Sequence, residues 1–199
     1  MNDEQNTLKS VEDIKSKDSG SFWELVRFAL IALIIVIPFR LFVAQPFKVS
    51  GSSMIPTFQD QNYLIVDEIS YRLEKPKRGD VVIFHPPGQN KSIYYIKRVI
   101  GLPGETIKIS GSTVTIINDN HKDGFVLDEP YVKNKSTSDN MEKTLGSSDY
   151  FVMGDNRPWS SDSRSWGVLP IENIIGRAFL RLLPIKEISA FPGEYNNYQ

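Results

Sequence analysis

The sequence predicts a mainly β fold, antiparallel and barrel-like, carried behind one N-terminal transmembrane helix. Three observations predict it. A single long apolar stretch occurs, close to the N-terminus. After Pro46 the text breaks into short apolar runs punctuated by Gly, Pro and Asn, with little helical periodicity and no internal repeat. The 199 residues, 40% hydrophobic and 24% charged, suit one soluble domain plus appendages. Three segments follow: a tail over 1–21, an anchor over 22–44, and a domain over 45–199 with a polar insert around 119–148.

The tail, MNDEQNTLKSVEDIKSKDSGS, is polar, mixed in charge and unable to bury a core, so it reads as disordered. From Phe22 the text turns to FWELVRFALIALIIVIPFRLFVAQPF. As a helix, Phe22 to Phe42 spans about 31 Å, enough for a hydrocarbon layer of ~30 Å. Glu24, Arg27 and Arg40 sit near its ends, where long side chains reach the interface. No small-x-small cleavage site follows, so the segment reads as a retained anchor rather than a removed leader. A buried core helix is the alternative. Lys9, Lys15, Lys17 and Arg27 assign the N-terminal side to the cytoplasm and the long domain to the extracytoplasmic side.

The strands follow in order. NYLIVDEI gives one over Asn62 to Ile69. RGDVVIFHPPG gives a second over Asp80 to Phe84, stopped by Pro86, Pro87 and Gly88. SIYYIKRVIGLPGE gives a long third, ended by the Gly-Leu-Pro-Gly turn. A hairpin pairs Thr106 to Ile109 with Thr113 to Ile117, turning at Ser110-Gly111. Asp119 to Ser148 is polar and reads as the exposed insert. DYFVMGD gives a strand over Asp149 to Asp155, and IIGRAFLRLLPI closes the core.

Composition excludes several functions. The net charge of -1 carries no nucleic-acid footprint. The absence of cysteine removes disulfides, thiolate metal sites and a Cys nucleophile. His85 and His121 are the only histidines, too few for a multi-His metal site, and no metal or cofactor is predicted.

Three stretches carry chemistry. In YYIKRVI, Lys97 shares a strand face with Tyr95 and Val99, while Arg98 shares the other with Tyr94, Ile96 and Ile100. Two adjacent cations on a strand apolar on both faces need different escapes. Arg keeps its proton and requires a carboxylate. Lys can neutralise on desolvation and become a general base, or it reaches solvent from an edge strand. VSGSSMIPTF, Val49 to Phe58, holds three serines that form either a simple turn or a nucleophile in search of a base. GDNRPWSSDSRSWG, Gly154 to Gly167, is either a solvated loop or a kit of Asp155, Arg157, Asp162, Arg164 and serines for orienting an amine and pairing a buried Arg.

In that order and spacing, SMIPT after an anchor, YIKRVIGLPGE and GDNRPWSSDSRSWG resemble the bacterial type I signal peptidases, and the short chain with one anchor is similar to their Gram-positive type. NYLIVDE also resembles that family. The resemblance covers roughly Gln45 to Pro184. It implies a serine endopeptidase with a Ser-Lys dyad: Ser53 as nucleophile and Lys97 as base, with Ser160 hydrogen-bonded to the lysine amine. It implies Arg98–Asp155 and Asp162–Arg164 pairs. The implied substrates are secretory preproteins cut after small-x-small sites, laid extended beside the dyad near the lipid bilayer. Ile55, Phe84, Tyr95 and Ile96 are expected as pocket walls. Phe47, Phe58 and Trp159 are assigned to the bilayer interface or to core packing. Gly51 stands where some relatives carry a second oxyanion-hole hydroxyl. The alternatives are a Ser-His hydrolase using His85 and an inactive, membrane-anchored peptide-binding paralogue.

Overall fold

The computed structural model describes residues 22–34, 36 and 45–195. The expected tail over 1–21 and most of the second half of the expected anchor lie outside the described residues. The chain divides between Phe42 and Val43 into two units. In the first, residues 22–34 are helical, about 20 Å at ~1.5 Å per residue. No helix among the described residues is long and apolar enough to cross a membrane.

The second unit is built almost wholly of antiparallel strands. These are β1 (Gln45–Lys48), β2 (Tyr63–Asp67), β3 (Val81–Phe84), β4 (Tyr95–Gly101), β5 (Thr106–Ser110), β6 (Thr113–Asn118), β7 (His121–Val126), β8 (Asn140–Thr144), β9 (Asp149–Met153), β10 (Leu169–Pro170), β11 (Ile174–Leu183) and β12 (Ser189–Ala190). The main sheet runs β1-β2-β11-β3-β4-β9-β10, with β12 on β11, so its edges are β1 and β10 and it is a half-barrel rather than a closed barrel. A second sheet runs β7-β6-β5-β8.

The main sheet is covered on both faces. Along β3, Val81 and Ile83 join Val49, Met54, Phe58, Leu64 and Val66 in one core, while Val82 and Phe84 join Val99, Tyr150, Val152 and Leu169 in another. Alternate residues of a strand face opposite ways, and here both ways are apolar, which explains the unbroken VVIF run. A third core, with Ile100, Ile107, Ile116, Phe151 and Met153, packs the second sheet.

Two boundaries shift for local reasons. β4 starts at Tyr95 and not at Ser92, because Asn90 closes a turn that accepts from Ser92 N–H and Ile93 N–H. β9 stops at Met153 because Gly154 and Asp155 leave the ladder for side-chain partners. The segment 119–148 departs further from expectation. It is not a simple exposed insert: it supplies β7 and β8, and it buries Leu127, Val132 and Leu145. Its apolar residues come in runs of three at most, as in Phe125-Val126-Leu127, set among charges and too short to stand out as strands.

Candidate active site

β1 delivers the chain to a loop over residues 49–62. Backbone bonds between Val49 and both Gln61 and Asn62 close its base. Met54 and Phe58 are fully buried beneath it, and Phe58 N–H donates to Met54 O at 2.9 Å. Gly51 turns at φ +97, a conformation that favours glycine, and its N–H donates to Asp60 Oδ1 at 2.9 Å. With Met54 anchored inward, the half-buried Ser53 faces a cleft.

The loop is clamped from the far side. Asn156 N–H donates to Ser53 O at 3.0 Å, and Asn156 Nδ2 donates to Ser52 O at 3.0 Å. Gly154 lies directly beneath. A Cβ there would fall 2.5 Å from Ser53 O and 2.3 Å from Ser160 Oγ, so only glycine permits this approach.

Lys97 comes from β4, which is interior to the sheet, between β3 and β9. The edge-strand alternative is therefore excluded, and the residue is 4% exposed. Its Nζ lies 2.8 Å from Ser53 Oγ and donates to Ile96 O at 2.9 Å. Both partners are neutral. Burial brings the amine down to about 8, against the opposing pull of the Asp162 and Asp155 charges.

Arg98, on the opposite face, is fully buried. Its Nε and Nη2 donate to the two oxygens of Asp155 at 2.8 and 2.6 Å, and Nη1 donates to Gly79 O at 2.9 Å and to Gly193 O. Thr57 Oγ1 donates to the same carboxylate at 2.5 Å. Asp162 accepts from Gly154 N–H at 3.0 Å and from Arg164 Nε and Nη2 at 2.8 Å each. Arg98 and Arg164 thus each have a carboxylate, whereas the hydrogen-bond partners of the Lys97 amine are a hydroxyl and a carbonyl.

A cleft of about 450 Å³ opens over Ser53 and Lys97, walled by Phe47, Ile83, Tyr94, Tyr95, Ile96 and Trp159 among others. Residues 22–183 match the family model described as signal peptidase, peptidase S26. The chain belongs to the signal peptidase I family. It is 35% identical to a probable signal peptidase I-2 of Synechocystis sp., over 92% of this chain and 84% of that protein. A signal peptidase I of Leptolyngbya laminosa is 37% identical over 86% of this chain and 85% of its own length. Signal peptidase I T of Bacillus subtilis is 33% identical over 94% and 98%. As a signal peptidase I, the chain is a hydrolase, a serine endopeptidase of the kind that removes signal peptides.

Within this signal peptidase three sequence expectations need correction. Ser160 does not bond the lysine amine: its Oγ is buried without a hydrogen-bond partner, against Gly154. Phe84 is no pocket wall. The alternation of β3 sends Ile83 to the cleft and Phe84 to the opposite core, against Tyr95 and Trp166. Ile55 is half-buried and lies outside the cleft, since the loop turns away after Met54. Tyr95 and Ile96 do line it. Of the three aromatics, Phe58 is core, whereas Phe47 lines the cleft against Tyr94 and Trp159 is 75% exposed at its rim. His85 is turned to Ile93 O and the Tyr94 ring and does not line the cleft.

Sequence reasoning missed several residues that build the site. Asn156 stood in a quoted motif without a role. Glu129 pairs with Arg157, and Asp139 with Arg164, from within the supposed insert. Tyr131 covers the Arg98 guanidinium at 3.9 Å. No sequence pattern marks these three contacts; only the fold brings 129–139 next to Arg98, Arg157 and Arg164.

Proposed function

We propose that the chain is a membrane-anchored endopeptidase that releases secretory preproteins from their signal peptides by a Ser53–Lys97 dyad and an acyl-enzyme. One observation carries this reading: a buried, carboxylate-free lysine amine 2.8 Å from a serine hydroxyl. Neutral Lys97 accepts the proton of Ser53 Oγ, which attacks the scissile carbonyl. The protonated amine then gives its proton to the leaving amine, and later activates the water that hydrolyses the ester. Arg98–Asp155 and Asp162–Arg164 hold the turn that clamps the nucleophile loop.

Ser53 N–H is the proposed oxyanion donor, a kind of contact worth about 3 kcal/mol. Gly51 N–H is already engaged by Asp60, so it does not supply the second. The substrate lies extended along β4, where Ile83, Tyr95 and Ile96 offer shallow apolar walls suited to small side chains such as those of Ala-x-Ala. Apolar residues on every side of helix 22–34, among them Phe22, Leu25, Phe28 and Leu33, are exposed, as in a lipid-facing helix. This supports the anchor, with the second unit on the extracytoplasmic side.

The test is preprotein cleavage by full-length variants. Ser53→Ala and Lys97→Met are expected to lower kcat by at least ~10³-fold with the fold intact. Lys97→Arg, a cation that cannot act as base, is expected to be equally inactive. Cleavage at the wild-type rate by any of the three overturns the dyad.

A further inference from the structure

The family match ends at residue 183, yet the segment beyond it returns to the catalytic core. Phe191 N–H donates to Phe179 O at 2.7 Å, its ring meets Phe179 edge-on at 5.2 Å, and the Arg177 guanidinium lies 4.8 Å from it. Phe191 at φ +46 and Gly193 at φ +79 turn the chain inward. A non-glycine residue in that region is held there only by surrounding contacts.

The inward turn ends on the least forgiving group of the molecule. Arg98 is 0% exposed and keeps its charge, so each buried N–H requires an acceptor. Asp155 and Gly79 O take three of its bonds, and Gly193 O takes another. Gly193 also abuts the nucleophile loop, since a Cβ there would fall 2.4 Å from Thr57 Cγ2. Thr57 in turn bonds Asp155. Two residues on, the Tyr195 ring packs edge-on against Tyr131 at 5.7 Å, and Tyr131 is the ring that covers Arg98. The Tyr195 hydroxyl donates to Asp128 at 2.7 Å.

We propose that Phe191–Tyr195 is a positioning strap for catalysis. It supplies the Gly193 O acceptor to Arg98, and through that guanidinium it steadies Asp155. The neighbouring Asn156 holds the carbonyls of Ser52 and Ser53, while Arg98 is the strand neighbour of Lys97. The strap therefore acts on the distance between nucleophile and base and touches neither the cleft nor the substrate. This rests on the Ser53–Lys97 reading. A misplacement of reacting groups by about 1 Å lowers the chemical step by ~10²-fold without altering ground-state binding.

The experiment compares full-length enzyme with a variant ending at Ala190 and with Tyr195→Ala and Tyr195→Phe, using a signal-peptide substrate and thermal melts. The shortened variant is expected to lose roughly 10- to 100-fold in kcat with KM within about twofold. A synthetic peptide of residues 191–199 added in trans is expected to restore part of it. Tyr195→Ala is expected to fall in kcat, whereas Tyr195→Phe, which keeps the ring on Tyr131, stays near wild type. Full kcat in the shortened variant overturns the strap. If that variant does not fold, the Tyr195 pair decides, and equal kcat in the two overturns it. Ser53→Ala run alongside separates the two ideas. Activity surviving there sinks the dyad, whereas a dead Ser53→Ala beside a fully active shortened variant sinks the strap alone.

Discussion

Lys97 and Arg98 are neighbours with the same formal charge and opposite fates. Arg98 is locked by a bidentate carboxylate at 2.6–2.8 Å. Lys97, equally buried, has a hydroxyl and a carbonyl. Desolvation therefore favours loss of its proton, and the amine falls from 10.5 to about 8. A base works only when unprotonated, so the sign is fixed: activity rises as pH climbs through the value of the amine. The kcat/KM for a signal-peptide substrate is expected to increase about tenfold per unit below pH 8 and to level off above it. A profile flat from roughly pH 6 to 10 contradicts the assignment. Adding a carboxylate next to the amine reverses the logic, which is why the absence of one among its partners matters as much as the proximity of Ser53.

At the scale of elements, the site is a junction between the end of β9 and the loop after β1. Gly154 is the hinge pin. Its amide is held by Asp162, its carbonyl by Arg157 Nε, and its bare Cα allows Ser53 O and Ser160 to close in. Gly154→Ala drives a methyl against backbone that has no slack. It is expected to cost roughly 1–3 kcal/mol of stability and about 10²-fold in kcat, measured by denaturant unfolding and substrate cleavage. Wild-type kcat in this variant shows that the close approach is not needed. The same scale explains which parts of the sequence were legible. β2, β3, β5 and β6 appeared as apolar runs or alternations because their side chains face a core directly. β7 and β8 did not. They flank the small sheet at its edges and expose most of their residues, so charge hides the few inward positions.

For the whole molecule, the small sheet is a structural participant in the site. Glu129, which follows β7, accepts from both Arg157 terminal nitrogens, and Arg157 holds Gly154 O. Asp139, before β8, pairs with Arg164, which grips Asp162. The side chains of Glu129 and Arg157 are only 8% and 6% exposed. Glu129→Ala strands a buried guanidinium and is expected to cost about 3–5 kcal/mol, read as a lowered denaturation midpoint, with a fall in kcat as Gly154 loosens. An unchanged midpoint means the pair is dispensable. Two sheets thus converge on one turn, and the turn presses on Ser53.

The sequence by itself determined the mainly β class, the order of the motif-bearing segments, the family, and the demand that Arg98 find an acid while Lys97 need not. Those follow from local alternation, from turn residues and from the fixed charge of a guanidinium, all of which are written in neighbouring letters. The tertiary structure alone decided that β4 is interior and not an edge, that Phe84 turns from the cleft while Ile83 faces it, and that Ser160 meets Gly154 instead of the amine. It alone brought Glu129, Asp139, Tyr131 and Gly193 to the charges around the site. Those four contacts join residues 25 to 95 positions apart, and strand order and register, which place them, depend on how whole sheets bury their faces.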